Sequence, residues 1–484
     1  SSSCPDIDLT IGTLAGNVNL AKIDATGSTG AVSVAGTANG SLVPMTILAG
    51  SGGLTADGSG RDDTVTGGAG VDAIDAGAGN DTLVGNGGAD DLDGEAGNDN
   101  ISGGAGGDTL TVGAGIDTVD GGAGADTIVL AGNYTTLDSI DGGAGTDTVT
   151  ITTANGSVTP VFTNVEAVTM TAGAGGANTM VLTSSTAVNS VTVADGADVG
   201  TVINSLGGGT VTNQDTSNTL TVDTTAGATL TVSAEANNTN ALTITDAATV
   251  TLAGAAASAG FGSLTLDAVD TTSLTISSAA ATFDYDTGVV SGSDQLQTLT
   301  VTTAGDGGDI TVGDMADADS LTSLTVTASA GDVDIAEVGG TGGTASGTAE
   351  ALATVTVNAS QGGTVVFDEI YADTTNSVSD NDMVITASAN DAGSDVDFGV
   401  VNNQFGSITA TLSGTQTVDF TQGTATMTAD SITITRNGDG ATTIDAVDAT
   451  TTFTATNNSS GTLTITTADA EGDTVVTTTA GALD

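Results

Sequence analysis

Aspartates recur at a fixed spacing in one stretch of the chain, and their type and spacing point most directly to chemistry. From Gly58 the sequence divides into eight consecutive nonapeptides that end at Val129, and a ninth copy fills residues 142–150 after a twelve-residue insertion. Every copy has Val, Ile or Leu at its eighth position and aspartate at its sixth. The sixth-position residues are Asp63, Asp72, Asp81, Asp90, Asp99, Asp108, Asp117, Asp126 and Asp147. Carboxylates are hard oxygen ligands, so this pattern predicts cation binding.

The nonapeptide also predicts the elements that hold the aspartates. Three residues around the eighth position suit one short strand with a single apolar side chain turned inward. The glycine-rich remainder suits a turn, because glycine permits positive φ. Two nonapeptides then close one coil with two strands and two turns, and successive coils stack. Stacking places each aspartate beside the one two repeats later, for example Asp63 beside Asp81 and Asp72 beside Asp90.

The stacked carboxylates need a counter-charge that the chain lacks. Against 59 acidic residues the sequence has only Lys22, Arg61 and Arg436, which gives a formal net charge of −56. Two carboxylates ~5 Å apart repel by roughly 3 kcal/mol at an effective dielectric of about 20. Repeated along both edges, this repulsion keeps the coils apart unless a cation bridges the turns. Carboxylate and carbonyl oxygens are the ligands that calcium prefers.

The array resembles the RTX calcium-binding β-roll, whose repeat is G-G-x-G-x-D-x-U-x with U a large apolar residue. The resemblance covers residues 58–150 and implies that the nine aspartates and carbonyl oxygens of the turns bind calcium. The turn residues implied in this way are Gly67, Ala69, Gly85, Gly103, Ala105, Gly121 and Ala123. The resemblance also implies several Ca²⁺ ions, roughly six or more. Departures from the pattern occur at Arg61, Glu95 and Val112, and we expect the outermost turn at Arg61 to bind no metal.

Composition limits the possible partners and reactions. The net charge of −56 would repel nucleic acid and an anionic membrane surface, and no apolar stretch reaches transmembrane length. The chain has no histidine and a single cysteine, Cys4, which removes the usual general base and any cysteine-based zinc site. Neither a phosphate-binding loop ending in lysine nor a G-x-S-x-G motif is present. We therefore predict that this chain is not an enzyme.

Outside the array, apolar-polar-apolar triplets predict further short strands. Triplets that begin at Leu220, Leu242 and Leu264 are spaced by 22 residues, and each has a partner 8 to 10 residues later. This regular spacing favours a parallel β-solenoid, and so does the aromatic content of only 2%, since the large aromatic side chains of sandwich cores are missing. β-Sandwich domains are the alternative. The predicted fold class is all-β, with a calcium-binding parallel β-roll and extended parallel β-solenoid-like segments.

The predicted organisation has four segments. They are an N-terminal β segment (1–57), the calcium-binding β-roll (58–150), a threonine-rich β-solenoid segment (151–290) and a C-terminal β-solenoid segment (291–484). The first two boundaries follow the ends of the nonapeptide array, and the third follows an interruption of the triplet rhythm before residue 299.

The order of these segments resembles RTX-containing surface-layer proteins of Gram-negative bacteria, which join calcium-binding turns to long Thr/Ala/Gly-rich β segments. The resemblance implies type I secretion, a place on the bacterial cell surface and self-assembly into a calcium-dependent lattice. The main expected partner is then another copy of the chain. Cell-surface polysaccharide is a further candidate, through a region that the sequence does not identify. Alternatives are an RTX adhesin or biofilm-matrix fibre, and the non-catalytic calcium-binding part of a secreted RTX enzyme.

Overall fold

The computed structural model is all-β in its described residues and forms two compact units, residues 1–209 and residues 210–484. The structure describes residues 8–11, 21–34, 43–153, 156–172, 178–194, 201–214, 219–234, 241–254, 263–266, 270–278, 285–287, 290–291, 295–303, 309–315, 320–338, 352–371, 384–389, 394–402, 404–412, 418–420, 428–437, 442–444, 447–458, 463–465, 468–470 and 473–478. Within these ranges no helix is found that could cross a membrane.

The strands of the first unit are short, mostly three to six residues long. They are β1 (Leu9–Ile11), β2 (Lys22–Asp24), β3 (Val32–Val34), β4 (Thr46–Leu48), β5 (Leu54–Ser59), β6 (Thr64–Thr66), β7 (Ala73–Gly77), β8 (Thr82–Gly87), β9 (Asp91–Asp93), β10 (Asn100–Ala105), β11 (Thr109–Thr111), β12 (Thr118–Ala123), β13 (Thr127–Ala131), β14 (Ser139–Asp141), β15 (Thr148–Thr153), β16 (Ser157–Val158), β17 (Phe162–Thr163), β18 (Ala167–Ala172), β19 (Asn178–Val181), β20 (Ser190–Val193) and β21 (Thr201–Leu206). Strand β22 (Gly209–Asn213) spans the boundary between the units.

The second unit has longer strands. They are β23 (Leu220–Ala234), β24 (Ala241–Gly254), β25 (Ser263–Leu266), β26 (Ser273–Ser278), β27 (Tyr285–Thr287), β28 (Val290–Ser291), β29 (Thr298–Thr303), β30 (Ile310–Val312), β31 (Ser323–Ser329), β32 (Val333–Val338), β33 (Thr354–Ser360), β34 (Thr364–Tyr371), β35 (Val384–Ala389), β36 (Asp395–Asn402), β37 (Gln404–Leu412), β38 (Val418–Phe420), β39 (Thr428–Arg436), β40 (Thr442–Ile444), β41 (Val447–Asn457), β42 (Leu463–Ile465), β43 (Ala468–Ala470) and β44 (Asp473–Thr478).

In the nonapeptide array, the two strands of each coil lie in two different parallel sheets. One sheet has the order β17-β14-β12-β10-β8-β6-β4-β2, and the other contains β5, β7, β9, β11, β13 and β15 in register. Thr82 pairs with Asn100 and Asn100 with Thr118, so one coil advances the chain by 18 residues. A coil therefore contains two nonapeptides, one for each sheet, as predicted.

Each nonapeptide contributes one large apolar side chain to the interior. Val65, Leu83 and Ile101 in one sheet and Ile74 and Leu92 in the other have at most 3% of their surface exposed. Burying one such side chain contributes about 1.5–3 kcal/mol. Their strand neighbours point away from the interior, because successive side chains alternate between the two faces of a strand. With so thin a core, the stability of the array depends strongly on its turns.

Residues 133–141 also form part of a coil, so the insertion predicted at 130–141 is shorter than twelve residues. Strand β14 pairs in register with β12 on one side and β17 on the other, which places Ile140 in the core. Only residues 130–132 interrupt the nonapeptide period. This copy has no repeat signature in the sequence, because none of its turn positions carries glycine.

Strand register confirms the predicted 22-residue coil in the second unit. Leu220 pairs with Leu242 and Leu242 with Leu264, all in parallel. Later coils are longer, with 25 residues from Leu299 to Leu324 and 31 from Leu324 to Val355. A second parallel sheet has the order β27-β30-β32-β34-β36-β38. Parallel neighbours require crossover connections, so the solenoid prediction is correct and the antiparallel sandwich is wrong here.

Candidate metal centre

The nine predicted aspartates form two stacks, one at each edge of the coil where the turns lie. All nine are buried, with at most 3% of their surface exposed. One stack contains Asp63, Asp81, Asp99 and Asp117, and the other contains Asp72, Asp90, Asp108, Asp126 and Asp147. Within each stack, Oδ1 of one aspartate accepts the backbone N–H of the aspartate one coil earlier, at 2.6–2.8 Å. These bonds hold the carboxylates in register.

The second carboxylate oxygen has no partner at most of these positions. Among the described residues, Oδ2 is buried without a hydrogen bond in Asp81, Asp90, Asp99, Asp108, Asp126 and Asp147. A buried charged oxygen without a partner is costly, because neither water nor a donor replaces its hydration. Each free oxygen therefore marks a place where a cation would be stabilised.

Glycine at the first position of the repeat leaves space beside the free oxygen. A Cβ placed on Gly94 would lie 2.8 Å from Asp99 Oδ2 and 2.8 Å from the carbonyl oxygen of Val112. The same pairing of a carboxylate with a first-position carbonyl from the next coil is found at Gly85, Gly103 and Gly121. Two oxygens thus converge on a volume that a side chain at this position would fill.

This set of donors fits calcium. The converging ligands are hard oxygens, and the nitrogen and sulfur that zinc favours are missing from these turns. No three metal-ligating side chains gather in the described part of the chain, so backbone carbonyls must complete each coordination shell. Calcium accepts about six to eight oxygens in flexible geometry, whereas magnesium demands a near-ideal octahedron.

Two turn conformations occur in the array. From the third repeat onward the second position has a positive φ, from 60° at Glu95 to 108°. In the first two repeats, by contrast, the second-position N–H is bonded to the carboxylate of its own turn. Ser59 N–H donates to Asp63 Oδ2 at 2.7 Å. Gly68 N–H donates to Asp72 Oδ2 at 2.8 Å. The first two turns therefore satisfy their own carboxylates, while most later turns leave an oxygen available.

The three departures from the repeat pattern have different structural consequences. Arg61 lies in the first turn, where the carboxylate already has internal donors. Val112 is buried at the first position of its repeat, where the other copies have glycine except for Ala76 in the third. Glu95 adopts φ 60°, a left-handed conformation that glycine would adopt without strain.

Burial raises the pKa of the array aspartates, because it removes water from the charged form. The pKa of Asp81 is raised to about 7, and those of Asp90 and Asp99 to about 6. Neighbouring carboxylates raise these values further, and the backbone N–H bonds lower them only in part. For the same main cause the pKa is also raised in Asp72, Asp108, Asp117, Asp126 and Asp147.

The turn carbonyls that the sequence analysis selected lie in different surroundings. The Gly103 and Gly121 carbonyls lie beside Oδ2 of Asp90 and Asp108, which have no partner. The Gly85 carbonyl lies beside Asp72 Oδ2, which already accepts the Gly68 N–H. The carbonyls of Ala105 and Ala123 accept a backbone N–H from the preceding coil at 2.9 and 2.8 Å, which leaves one acceptor site on each. The Gly67 carbonyl accepts the side-chain amide of Asn86 at 3.0 Å, and Ala69 is exposed in the second turn.

The two stacks of aspartates continue with two acidic residues that were not predicted as metal ligands. Asp138 Oδ1 accepts the N–H of Asp117 at 3.0 Å, and Glu166 Oε2 accepts the N–H of Asp147 at 2.9 Å. Asp138 has a sequence signal, since it precedes Ile140 with the spacing of the sixth and eighth positions. Glu166 has no nonapeptide signal, because its turn lacks the length and the glycines of the repeat; its segment, residues 162–170, only resembles the short stretch that often follows such arrays.

Stacked coils with a buried carboxylate at each turn define a parallel β-roll with oxygen-lined edges. The family model of the RTX calcium-binding nonapeptide repeat, which spans four copies, matches residues 55–83, 77–110, 84–118, 102–137 and 138–150. The chain therefore carries RTX repeats, which bind calcium and are typical of secreted proteins. No curated protein and no solved structure matches the chain.

Proposed function

We propose that the chain is a non-catalytic structural protein that folds on binding calcium outside the cell and assembles there with its own copies into a surface lattice. The observation that carries the calcium step is the set of six buried Oδ2 oxygens without a partner. A folded array with these oxygens charged and bare is unfavourable, so a bound cation contributes directly to folding.

The free oxygens support about six ions in the array. They are spread over both edges, with Asp81 and Asp99 on one and Asp90, Asp108, Asp126 and Asp147 on the other. The internal donors to Asp63 and Asp72 leave the first turn of each edge outside this count.

Folding that depends on calcium would be useful for export of the chain. Where free calcium is scarce, repulsion within each stack keeps the array open and able to pass through a secretion channel. At the millimolar-range calcium that extracellular modules require, ions bridge the turns and the coils stack.

The proposal also includes self-assembly, and the charge of the chain supports this step. A net charge of −56 with three basic residues prevents contact between copies unless cations or uncharged faces mediate it. Calcium supplies the cations. The second unit supplies an uncharged face, on which one threonine from each of ten parallel strands, from Thr231 in β23 to Thr454 in β41, pairs in register with the next. An isolated fibre or the accessory part of a secreted enzyme would need no such face.

Electron microscopy of the purified chain in a few millimolar calcium, repeated after EGTA, tests the proposal. Two-dimensional sheets that dissolve on chelation are the expected result. Single rods that gain β structure with calcium would retain the calcium switch but reject the lattice, which would leave the adhesin or accessory-domain alternative. A chain that folds equally in EGTA would reject both steps.

A further inference from the structure

We propose that the calcium-binding edge continues one coil beyond the nonapeptides, to a cation site built by Asp147, Asn164 and Glu166. This inference rests on the calcium switch proposed above and extends it to residues outside the repeat. The family match ends at residue 150, so neither Asn164 nor Glu166 is part of a nonapeptide.

The oxygens at this position repeat the geometry of the array. Asp147 has none of its surface exposed, and its Oδ2 is buried without a partner. A Cβ placed on Gly142 would lie 2.9 Å from this oxygen and would collide with the carbonyl oxygen of Asn164. Asn164 thus takes the place that a first-position residue takes in the preceding coils.

The Asn164 carbonyl is held in place by the shape of its own turn. Asn164 has φ 50°, a left-handed conformation that asparagine tolerates better than most residues. Its side-chain amide donates to Asp141 Oδ1 at 2.9 Å, and the same oxygen accepts the Gly143 N–H at 3.1 Å. These bonds tie the new turn to the last nonapeptide.

Glu166 replaces the aspartate of the stack. Its Oε2 accepts the Asp147 N–H at 2.9 Å, which is the role of Oδ1 in every preceding coil. Its backbone carbonyl accepts the N–H groups of Asn189 and Ser190 at 3.0 and 3.1 Å, where β20 begins. A cation at this site therefore connects the last turn of the array to the coils that follow it in the first unit.

The Glu166→Gln variant tests the site in the full-length chain, because glutamine can still accept the Asp147 N–H but carries no charge. We expect the variant to bind one Ca²⁺ fewer in native mass spectrometry, or to hold its weakest ion at least about tenfold less tightly. Glu369→Gln, in strand β34 of the second unit, removes the same charge from a residue outside the repeats and should bind as the wild type does.

Hydrogen exchange supplies the readout if ion counts are difficult to resolve. Protection of β18 and β20 in Glu166→Gln should require about tenfold more calcium than in the wild type, while protection of β8 and β10 is unchanged. Equal ion number and equal protection of β18 in the two proteins would overturn the site. A wild-type chain that binds no calcium would instead overturn the proposed function.

A separate observation supports a second proposal: we infer that a threonine face on the second unit is the contact between copies of this chain. Ten threonines pair in register across ten consecutive parallel strands. They are Thr231, Thr251, Thr275, Thr300, Thr325, Thr356, Thr386, Thr409, Thr433 and Thr454. All ten are partly or fully exposed, and their strand neighbours are buried wherever the structure describes those side chains.

The two columns beside this one are also uncharged. One contains Thr229, Thr249, Ser273, Thr298, Ser323, Thr354, Val384, Ser407, Ser431 and Thr452. The other contains Ser233, Ala253, Ser277, Thr302, Thr327, Asn358, Ser388, Thr411, Thr435 and Thr456. Thirty positions without one carboxylate are unexpected in a chain with 59 acidic residues.

A second copy of the chain fits this face better than another partner does. Two acidic molecules can approach closely only where neither presents a carboxylate. Ten strands at ~4.8 Å spacing and three alternate residues give a face of about 43 by 13 Å, or about 560 Å² per partner. Two such faces bury about 1,100 Å², which is just above the roughly 1,000 Å² that a specific interface needs. This proposal rests on the self-assembly proposed above.

The Thr325→Glu variant, at the centre of the face, tests the contact by placing a like charge on both partners. Sheets should be lost or fall at least about tenfold in yield, while calcium binding and β signal stay unchanged. Thr243→Glu adds the same charge to a separate three-row column, Thr221, Thr243 and Thr265, and should still form sheets.

Cross-linking locates the contact directly. In a Cys4→Ser background, Thr325→Cys should form disulfide-linked dimers in calcium and far fewer in EGTA. Normal sheets from Thr325→Glu together with no cross-linked dimer would overturn the threonine contact while leaving the lattice in place. Wild-type protein that stays monomeric in calcium would overturn the lattice as well.

Discussion

At the scale of single residues, the array is built from aspartates in which one carboxylate oxygen is hydrogen-bonded and the other, in most copies, is not. One oxygen of each aspartate accepts a backbone N–H of the neighbouring coil, and in six of them the other oxygen has no partner. The bonded oxygen orders the stack, and the free oxygen makes it unstable without a cation. The same side chain therefore fixes the geometry of the fold and leaves an oxygen that a bound calcium ion would satisfy.

Glycine in place of Glu95 should stabilise the array. Glu95 has φ 60°, where a residue with a Cβ is strained by about 1–2 kcal/mol, and its carboxylate is repelled by Asp93 and Asp75. We expect Glu95→Gly to raise the free energy of unfolding of the array by about 1 kcal/mol in calcium, measured by urea titration. Asn86→Gly is the comparison at the same turn position and should give no gain, because asparagine tolerates φ 73° better and its side-chain amide donates to the Gly67 carbonyl. A lower midpoint for Glu95→Gly would contradict this account.

The metal-free array should be more stable in acid. The folded-state pKa values of Asp81, Asp90 and Asp99, about 7, 6 and 6, lie above the ordinary 3.8, so the folded form binds more protons than the unfolded chain. Stability is then highest below pH about 4 and is lost as the pH rises toward about 7. In EGTA, the protection factors of amides in β6 to β15, which correct each rate for the intrinsic pH dependence of exchange, should be larger at pH about 5 than at pH about 8.

Calcium binding should show the opposite dependence on pH. The ligands must lose their protons, so the calcium concentration at half-saturation should rise as the pH falls from about 8 to about 5. Isothermal titration calorimetry in two buffers of different ionisation enthalpy would measure the protons released. A midpoint and a proton count that do not change with pH would contradict the raised pKa values.

At the scale of elements, the turns of adjacent coils touch each other through their backbones. Fourth-position glycines have φ from 129° to 158° from the third repeat onward, and a Cβ on most of them would overlap a carbonyl of the preceding coil. No other residue fits there, because both the conformation and the space exclude a side chain. The turns therefore restrict the residue type at this position as strictly as the core restricts its buried positions.

Alanine at Gly106 should disrupt the array, whereas alanine at its neighbour Gly107 should not. Gly106 has φ 147° and its Cβ would collide with the Gly88 carbonyl, while Gly107 lies at a position where other repeats carry alanine. We expect Gly106→Ala to lose about 3 kcal/mol or more in calcium and Gly107→Ala less than about 1 kcal/mol. Equal effects of the two substitutions in a urea titration would contradict the stacked-turn geometry.

The elements that repeat at a fixed period could be predicted from the sequence. The 18-residue coil of the array and the 22-residue coil from Leu220 follow from apolar residues at fixed spacing, since stacked coils must align their buried side chains. Asp138 and Glu166 could not be predicted in this way, because their turns have no glycine; Asp138 keeps only the spacing of the sixth and eighth positions. The difference between turns with satisfied and free carboxylates could not be predicted either, because it depends on the φ value of the second position.

At the scale of the whole molecule, each unit follows one rule: short parallel strands stack, and their turns set the spacing. The first unit places buried carboxylates at its turns, and the second places threonines on one face in a column of ten. In the proposed function, repulsion among the acidic residues keeps the array open until calcium is present. Calcium-dependent folding is therefore the claim on which the proposed assembly depends.

Hydrogen exchange of the full-length chain at pH about 7.5, in EGTA and in about 5 mM calcium, tests that claim most directly. We predict that amides of strands β6 to β15 exchange at unfolded rates in EGTA and at least about 100-fold more slowly in calcium. Equal protection of these strands in EGTA and in calcium would contradict the account, because the free carboxylate oxygens would then need no cation for the array to fold.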